Sequence, residues 1–327
     1  MGGTGVATRV STPAAPAARE HTPGRAAPMG RTGRTTGWRS DLAGFGFVLP
    51  FLIIYGLFLV WPVIQGFRMS LFNWSLTGSG TTDFMGFNNY QETLEDPNFW
   101  SSIWHTILFT LLSTPPLVIL SLLFALLANR AVPARWLYRL AFFSPYLLPS
   151  SVVALIWVWI YQPGFGLING YLTRLGIGEV GWLSEAGVAM VSVVITTVWW
   201  TIGFNFVLYL AGLQEIPRDI YEAAALDGAT GLEQVRSITL PMLARTTTLI
   251  LVLQVLASLK VFDQIFLMTN GGPNFSTRPV IQYIYEQGFT TYRVGYASAM
   301  SYAFFLLILV VSLGQFALLS RRGRTNG

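Results

Sequence analysis

Long apolar runs alternate with short polar segments along most of the chain. A helix that crosses the hydrocarbon core of a bilayer needs about 20 predominantly apolar residues. Six runs reach that length, and each predicts a membrane-spanning helix: 42–64, 103–128, 141–161, 187–212, 246–269 and 296–320. The pattern therefore predicts an all-α polytopic membrane protein whose transmembrane domain covers residues 41–320.

The composition agrees with a chain that resides in lipid. Hydrophobic residues make up 53% of the sequence and charged residues only 11%, whereas a typical soluble domain has about 25% charged residues. The net charge of +5 does not predict a nucleic-acid surface, because the basic residues are spread over separate segments between the apolar runs. The chain has no cysteine, so it offers neither a disulfide framework nor a thiolate metal site.

Two segments lie outside the predicted transmembrane domain. Residues 1–40 are rich in Gly, Ala, Pro, Thr and Arg and contain one acidic residue, Glu20, which predicts a disordered tail. Residues 321–327 predict a second, short tail. The apolar run that starts at 42 is too long for the core of a signal peptide, so we expect the first span to be retained.

Basic residues are distributed unequally between the predicted connections. Fifteen fall in the N-terminal tail, the second and fourth connections and the C-terminal tail. Four fall in the other connections, and Lys260 lies inside the fifth predicted span. Because Lys and Arg are enriched on the cytoplasmic side of membrane proteins, both termini and the fourth connection are predicted to be cytoplasmic.

The fourth connection contains a charged and sharply punctuated segment, Glu222–Pro241, with the sequence EAAALDGATGLEQVRSITLP. Pro217 suits the first turn of a helix, which Gly228 would end in a left-handed conformation. Thr230 and Glu233 have the spacing of a capping box, which predicts a second helix that Pro241 closes. The pattern predicts two helices and a tight turn outside the membrane. By spacing alone, an ordinary amphipathic hairpin is equally compatible.

Two charged residues lie within the fifth predicted span. Lys260 and Asp263 are three residues apart and would be within reach of one another on a helix. Charges at membrane depth are costly and usually face a partner, a bundle interior or a watery cavity. The pair therefore predicts either an internal ion pair near the outer interface or a part of a substrate path.

Several kinds of catalytic site are not predicted. An ATP-binding P-loop needs a lysine after a glycine-rich loop, but Lys260 is the only lysine and follows no such loop. His21 and His105 have neither a Cys nor a further His as companion, so no metal site is predicted. We find no nucleophile with a base beside it. The chain is not expected to be an enzyme.

The segment in the fourth connection resembles a known signature. The order E-A-A, then Gly six residues after the Glu, then I-x-L-P is similar to the signature loop of permease subunits of binding-protein-dependent ABC importers. The residues that match, which the resemblance implies to be ATPase-docking residues, are Glu222, Ala223, Ala224, Gly228, Ile238, Leu240 and Pro241. The docking loop is expected to cover residues 213–245.

Two further stretches are similar to the carbohydrate branch of that family. LKVFDQIFLMTNGGP, around Asp263, resembles the fifth-span signature of sugar-type permeases, and SPYLLPS covers Ser144–Ser150. The resemblance extends over about residues 42–320 and is to the larger permease of maltose-type importers. That permease has extra N-terminal spans and a large outer domain for which this chain has no room. The resemblance therefore implies a sugar without implying maltose.

The resemblance also implies partners and a substrate path. The partners are a second permease subunit, an ATPase dimer that binds ATP and Mg²⁺, an extracellular solute-binding protein, a sugar and the lipid of the bacterial plasma membrane; no cofactor is expected in this chain. The outer connection from about 66 to 101 is expected to be a folded surface loop or a contact for the delivery protein. Family positions, the amide of Asn205 and the two intramembrane charges together give the predicted path residues: Ser150, Thr197, Trp200, Thr201, Phe204, Asn205, Ser258, Lys260 and Asp263.

Two other functions remain open at this point. A secondary transporter could use Lys260 and Asp263 as a proton or ion relay, but no inverted repeat is visible in the six predicted spans. A membrane scaffold without transport activity would leave the intramembrane charges unexplained.

Overall fold

The computed structural model of the protein describes residues 2–3, 38–75, 83–129 and 135–324. Most of the predicted N-terminal tail, Arg130 and the end of the predicted C-terminal tail lie outside these residues. The described residues are helical or irregular, with two isolated β-bridges and no strand. The predicted all-α class is therefore confirmed for this part of the chain.

The chain divides into two units, 1–56 and 57–327. The described helix of the first unit is α1 (Trp38–Tyr55). The described helices of the second unit are, in chain order, α2 (Trp61–Ser70), α3 (Asn88–Glu95), α4 (Pro97–Asn129), α5 (Arg135–Phe143), α6 (Ser150–Tyr161), α7 (Leu167–Arg174), α8 (Val188–Gln214), α9 (Arg218–Leu226), α10 (Gly231–Gln234), α11 (Leu240–Met242), α12 (Ala244–Leu259), α13 (Asp263–Thr269), α14 (Val280–Tyr285) and α15 (Val294–Arg324).

Four described helical stretches are long and apolar enough to cross a membrane: Phe45–Ser70, Pro97–Asn129, Val188–Gln214 and Val294–Ala317. They correspond to the first, second, fourth and sixth predicted spans. Two bent helix pairs pass the same test together, so the described residues contain four to six candidate spans. The polytopic architecture is confirmed, while the third and fifth spans differ from the unbroken helices that we predicted.

The third predicted span, 141–161, consists of two helical pieces that meet at 99°. A 3₁₀ turn at Ser144–Leu147 follows α5, and Leu148 and Pro149 are extended before α6 begins at Ser150. The physical reason is proline, which cannot donate a backbone hydrogen bond and disfavours the helical conformation of the residue before it. Pro149 therefore turns the chain between the two pieces.

The fifth predicted span, 246–269, is also interrupted. Helix α12 ends at Leu259, and α13 begins only at Asp263. No proline or glycine marks this break. Instead, Phe262 has a non-helical backbone (φ −151°, ψ −64°), and its ring packs 5.2 Å from that of Phe266 and 5.6 Å from that of Tyr285. Aromatic rings pack at the break. The local sequence contains no helix-breaking residue that would predict it.

The two long helices α4 and α8 form the centre of the second unit. Two buried clusters lie along them, one containing Phe109 and Val193 and the other containing Ala125 and Phe206. Close approach of α8 to α5 requires Gly203, because a Cβ there would lie 2.6 Å from the carbonyl oxygen of Phe142. This packing places α5 against the face of α8 that carries several predicted path residues.

Asp96 connects the start of α4 to two later helices. Its Oδ1 accepts a hydrogen bond from the backbone N–H of Asn98 at 2.9 Å and so caps the first turn of α4. Its Oδ2 accepts hydrogen bonds from the hydroxyls of Tyr283 and Tyr296 at 2.5 and 2.7 Å. Burial disfavours the carboxylate, but these hydrogen bonds outweigh burial and lower the pKa of Asp96. One side chain thus joins α4, α14 and α15.

Replacing Asp96 with Ala should lower the free energy of unfolding by about 2 kcal/mol, because three hydrogen bonds to a charged group are lost. The measurement is thermal or denaturant unfolding of the purified protein in detergent, with Asp96→Asn as the milder variant that keeps an acceptor. Since the folded pKa is lowered, the contribution is present above the ordinary Asp pKa and is lost as the pH falls through the folded value. Equal stability of wild type and Asp96→Ala at neutral pH would contradict this role.

Candidate functional site

Helix α9 and the left-handed turn after it are present as predicted, but Pro217 precedes the helix instead of lying in its first turn. Pro217 is extended and precedes α9, and Gly228 has a φ of +84°, a conformation that favours glycine. The N–H of Gly228 bonds to the carbonyl of Ala225, and the N–H of Ala229 bonds to that of Ala224, which is the hydrogen-bond pattern of a Schellman motif. Nothing lies within 4 Å of a Cβ placed on Gly228. Backbone conformation, rather than lack of space, requires this glycine.

The predicted capping box is also present. Thr230 accepts a hydrogen bond from the N–H of Glu233 at 3.4 Å, and the Glu233 carboxylate accepts one from the N–H of Thr230 at 2.7 Å. The bonds from the backbone N–H and the hydroxyl of Thr230 lower the pKa of Glu233. The turn between α9 and α10 is therefore defined by hydrogen bonds within a short stretch of chain.

Pro241 does not close the segment as we predicted. It lies in the first turn of α11, which continues the helical run from α10 through a π turn at Val235–Thr239. In that turn the N–H of Leu240 bonds to the carbonyl of Val235, five residues earlier, as in a π-helix. Pro241 follows this wider turn directly and continues the helix. The run bends by 63° before α12, next to the buried Leu243.

Most of this segment is exposed in the single chain. Helix α9 buries no side chain, and Glu222 and Ala223 are both exposed. Leu226 and Leu232, on either side of the turn, are 91% and 79% exposed. A hydrogen bond of 2.9 Å between the hydroxyls of Tyr221 and Thr239 ties α9 to the π turn. The segment thus presents exposed apolar and acidic side chains on a turn with defined geometry, as expected of a surface that contacts another protein.

Two predicted path residues belong to a buried network of polar side chains. Asn205 on α8 donates to Gln254 on α12 at 2.9 Å, and Gln254 donates to Ser258 at 3.1 Å. The Ser258 hydroxyl lies 3.3 Å from that of Ser113 on α4. We call these four residues the core polar network. It links three helices, and the Oδ1 of Asn205 is buried without a hydrogen-bond partner among the described residues.

The sequence interpretation missed Ser113 and Gln254. Gln254 is a lone amide in the apolar run of α12 and lies four residues before Ser258, a spacing that could have identified it. Ser113 had no comparable signal, because its partner is 145 residues away. Thr197 is also internal: it bonds to the carbonyl of Val193 at 2.8 Å and accepts a bond of 3.5 Å from Gln264.

The remaining residues of the fourth span lie nearer the surface of the single chain. The indole N–H of Trp200 donates to the carbonyl of Leu148 at 3.1 Å, which fixes the ring beside the break in the third span. Phe204 is 38% exposed, and its ring lies 5.6 Å from that of Tyr146. Ser150 and Thr201 are partly buried. The structure therefore brings aromatic rings and hydroxyls together along one side of α8.

Lys260 and Asp263 are not paired. The break between α12 and α13 separates them, so the helical spacing that we used does not apply. Among the described residues the ion pairs are Arg278–Glu286 at 3.2 Å and Arg293–Glu92 at 2.7 Å. Lys260 and Asp263 are both exposed in the single chain. The expectation of an internal ion pair was wrong for this chain.

The described part of the connection between the first two spans carries acidic side chains. A cavity of about 320 Å³ lies there, lined by residues that include Glu92, Asp96, Tyr283 and Arg293. The cavity lies between the α3–α4 junction and helices α14 and α15. A contact with an extracellular delivery protein stays a prediction.

Comparison with known proteins identifies the family. The model of the family described as "Binding-protein-dependent transport system inner membrane component" matches residues 94–324. The sulfoquinovosyl glycerol transport system permease of Agrobacterium fabrum is 36% identical over 80% of this chain and 85% of its own length. The trehalose/maltose transport system permease of Thermococcus litoralis is 35% identical over 83% and 92%.

A solved structure agrees with these sequence matches. The crystal structure of a bacterial ABC transporter involved in the import of the acidic polysaccharide alginate contains a chain of similar fold, with a TM-score of 0.76 and 25% identity. The similarity covers 86% of this chain and 96% of that one. The resemblance inferred from the signature loop and the fifth-span motif is confirmed. This chain belongs to the family of inner membrane components of binding-protein-dependent transport systems.

Proposed function

We propose that this chain is the membrane permease subunit of an ATP-driven importer for a sugar or a glycoside. The observation that carries the proposal is the family match over residues 94–324 together with the geometry of the Glu222–Pro241 segment. Two relatives are transport system permeases for sulfoquinovosyl glycerol and for trehalose/maltose, which supports a carbohydrate substrate. The chain forms half of the path, a second permease forms the other half, and a separate ATPase binds ATP and Mg²⁺.

Both termini and the docking loop, 213–245, face the cytoplasm in this proposal. The fifteen-to-four distribution of basic residues supports that orientation. The loop connects the end of α8 at Gln214 to the start of α12 at Ala244. The direction in which α8 crosses the membrane therefore determines on which side of the membrane the loop lies.

The ATPase contacts the exposed face of α9. Glu222 pairs with a basic group of the ATPase, and the small side chains of Ala223 and Ala224 allow close approach. Movement of α9 reaches the membrane through the helical run that contains Ile238, Leu240 and Pro241. That run leads directly into α12, whose Gln254 and Ser258 contact α8 and α4. The docking loop and the core polar network are therefore parts of one mechanical connection.

The sugar passes along the side of α8 that carries Trp200, Thr201 and Phe204. Flat aromatic faces suit the C–H surfaces of sugar rings, and hydroxyl and amide groups bond to sugar hydroxyls. Lys260 and Asp263, which are exposed and unpaired among the described residues, complete the path where the second permease covers this face.

The proposed function is tested by reconstitution. The chain, its second permease, the ATPase and the solute-binding protein are incorporated into proteoliposomes, and uptake of radiolabelled sugar is followed with and without ATP. We expect uptake only with ATP and all subunits. Uptake by the purified chain alone, driven by a proton or sodium gradient, would instead support a secondary transporter.

Gly228→Val should uncouple the importer. A β-branched residue in the left-handed conformation costs about 1–2 kcal/mol, so the turn after α9 would be distorted. We expect sugar uptake to fall at least tenfold while the basal ATP hydrolysis of the assembled complex persists. The matched control is Gly228→Asn, since Asn tolerates this conformation better. Wild-type uptake by a Gly228→Val variant present at normal membrane levels would contradict the proposed coupling.

Gln254→Leu tests the core polar network. The substitution leaves the Asn205 amide without its acceptor and removes one of the two side-chain contacts of Ser258. A buried unsatisfied group costs about 1–3 kcal/mol. We expect a lower unfolding temperature in detergent and weaker stimulation of ATP hydrolysis by the loaded binding protein. Gln91→Leu, at an exposed glutamine, is the control for stability and should leave the unfolding temperature unchanged. An unchanged unfolding temperature for Gln254→Leu would show that the network does not hold these helices together.

A further inference from the structure

Two cavities lie side by side where α4 and α8 end. The first has a volume of about 650 Å³ and is bounded by the last residues of both helices, by α5 and by the start of α9. Five of the seven residues that line it have polar groups: Asn129, Arg139, Gln214, Arg218 and Tyr221. A cavity of this size accommodates the headgroup of a phospholipid.

The first cavity carries positive charge without a counter-charge. Its lining residues include Arg139 and Arg218 and no carboxylate. Neither guanidinium forms an ion pair within the described part of the chain. The Nε of Arg139 is buried and has no hydrogen-bond partner among the described residues. Buried donors are normally satisfied, so this atom indicates a missing acceptor.

The second cavity is mainly apolar and lies beside the first. It has a volume of about 520 Å³ and lies between α5 and the last turns of α8, where Phe143, Phe206 and Leu210 line it. Arg139 and Gln214 line both cavities. A basic polar cavity thus lies next to an apolar groove, with Arg139 and Gln214 at their boundary, an arrangement that matches a molecule with an anionic head and a hydrocarbon chain.

The composition of α5 places this site at a membrane interface. Its exposed apolar side chains include Trp136 and Leu140, which are 68% and 50% exposed. Tyr138 and Arg139 accompany them on the same short helix. Aromatic and basic residues together are typical of helices at the level of lipid headgroups. The ends of α4 and α8 are expected at the same level.

We propose that the two cavities form a binding site for one anionic phospholipid of the cytoplasmic leaflet. Its phosphate lies between Arg139 and Arg218, and one acyl chain occupies the groove beside Phe206 and Leu210. The lipid connects α5 to α9, the first helix of the docking loop. This inference rests on the proposed orientation of the chain but not on its substrate, and its test involves no transport.

The experiment is native mass spectrometry of the full-length chain in detergent, titrated with phosphatidylglycerol or with phosphatidylcholine of the same acyl chains. We expect one phosphatidylglycerol to bind in preference to phosphatidylcholine. A basic residue near an anionic lipid contributes on the order of 1 kcal/mol, so Arg139→Gln should weaken binding about fivefold. Arg139→Lys should bind more tightly than Arg139→Gln, because it retains the charge. Arg245→Gln, at an exposed arginine outside both cavities, should bind as the wild type does.

Further experiments distinguish a bound lipid from a small anion or a partner protein in the two cavities. Ala211→Trp fills the apolar groove and should weaken binding although both arginines remain. Inorganic phosphate should not displace the lipid; displacement at equal concentration would identify a small-anion site and overturn the proposal. Equal lipid binding by Arg139→Gln, Ala211→Trp and Arg245→Gln would also overturn it. So would complete loss of lipid from the wild-type chain on assembly with the ATPase and second permease, since a partner protein would then occupy the cavities.

Discussion

Helices in a bilayer gain little from the hydrophobic effect when they pack against one another, because lipid tails are as apolar as the helix surfaces. Association then depends on close packing and on polar contacts between helices. In this protein the core polar network supplies such contacts: Asn205 and Gln254 join α8 to α12, and Ser258 and Ser113 join α12 to α4. The absence of a Cβ at Gly203 allows the close packing of α8 on α5. The positions of the path residues depend on these few contacts.

The same contacts are the structural basis of the mechanical connection proposed above between the Glu222–Pro241 segment and the spans. The turn after α9 has a defined geometry because its Schellman motif and capping box satisfy the ends of α9 and α10. The helical run then continues through the π turn and bends beside Leu243 into α12. Since α12 carries Gln254, this run connects the turn after α9 to α8 and α4. In the proposed mechanism it is the route by which a displacement at the turn reaches these helices.

Interrupted helices are concentrated near the predicted path. The third span turns at Pro149, beside the carbonyl of Leu148 that accepts the Trp200 indole hydrogen bond. The fifth span breaks between Leu259 and Asp263, where Lys260 is exposed. Non-helical backbone at membrane depth is tolerated where protein buries it or where it lines a watery cavity. The breaks before Ser150 and after Leu259 are therefore compatible with the proposed path along this face.

The amino-acid sequence alone determined the features that depend on neighbours within a few residues. Hydropathy over about 20 consecutive residues located the four long spans. The glycine at 228 and the Thr230–Glu233 pair defined the turn after α9, because its hydrogen bonds join residues at most five positions apart. Tertiary structure decided the rest. The Asn205–Gln254 and Ser113–Ser258 contacts join residues 49 and 145 positions apart. The break at Phe262 contains no proline or glycine from which it could have been predicted. Such contacts form only when separate helices pack, so no local pattern contains them.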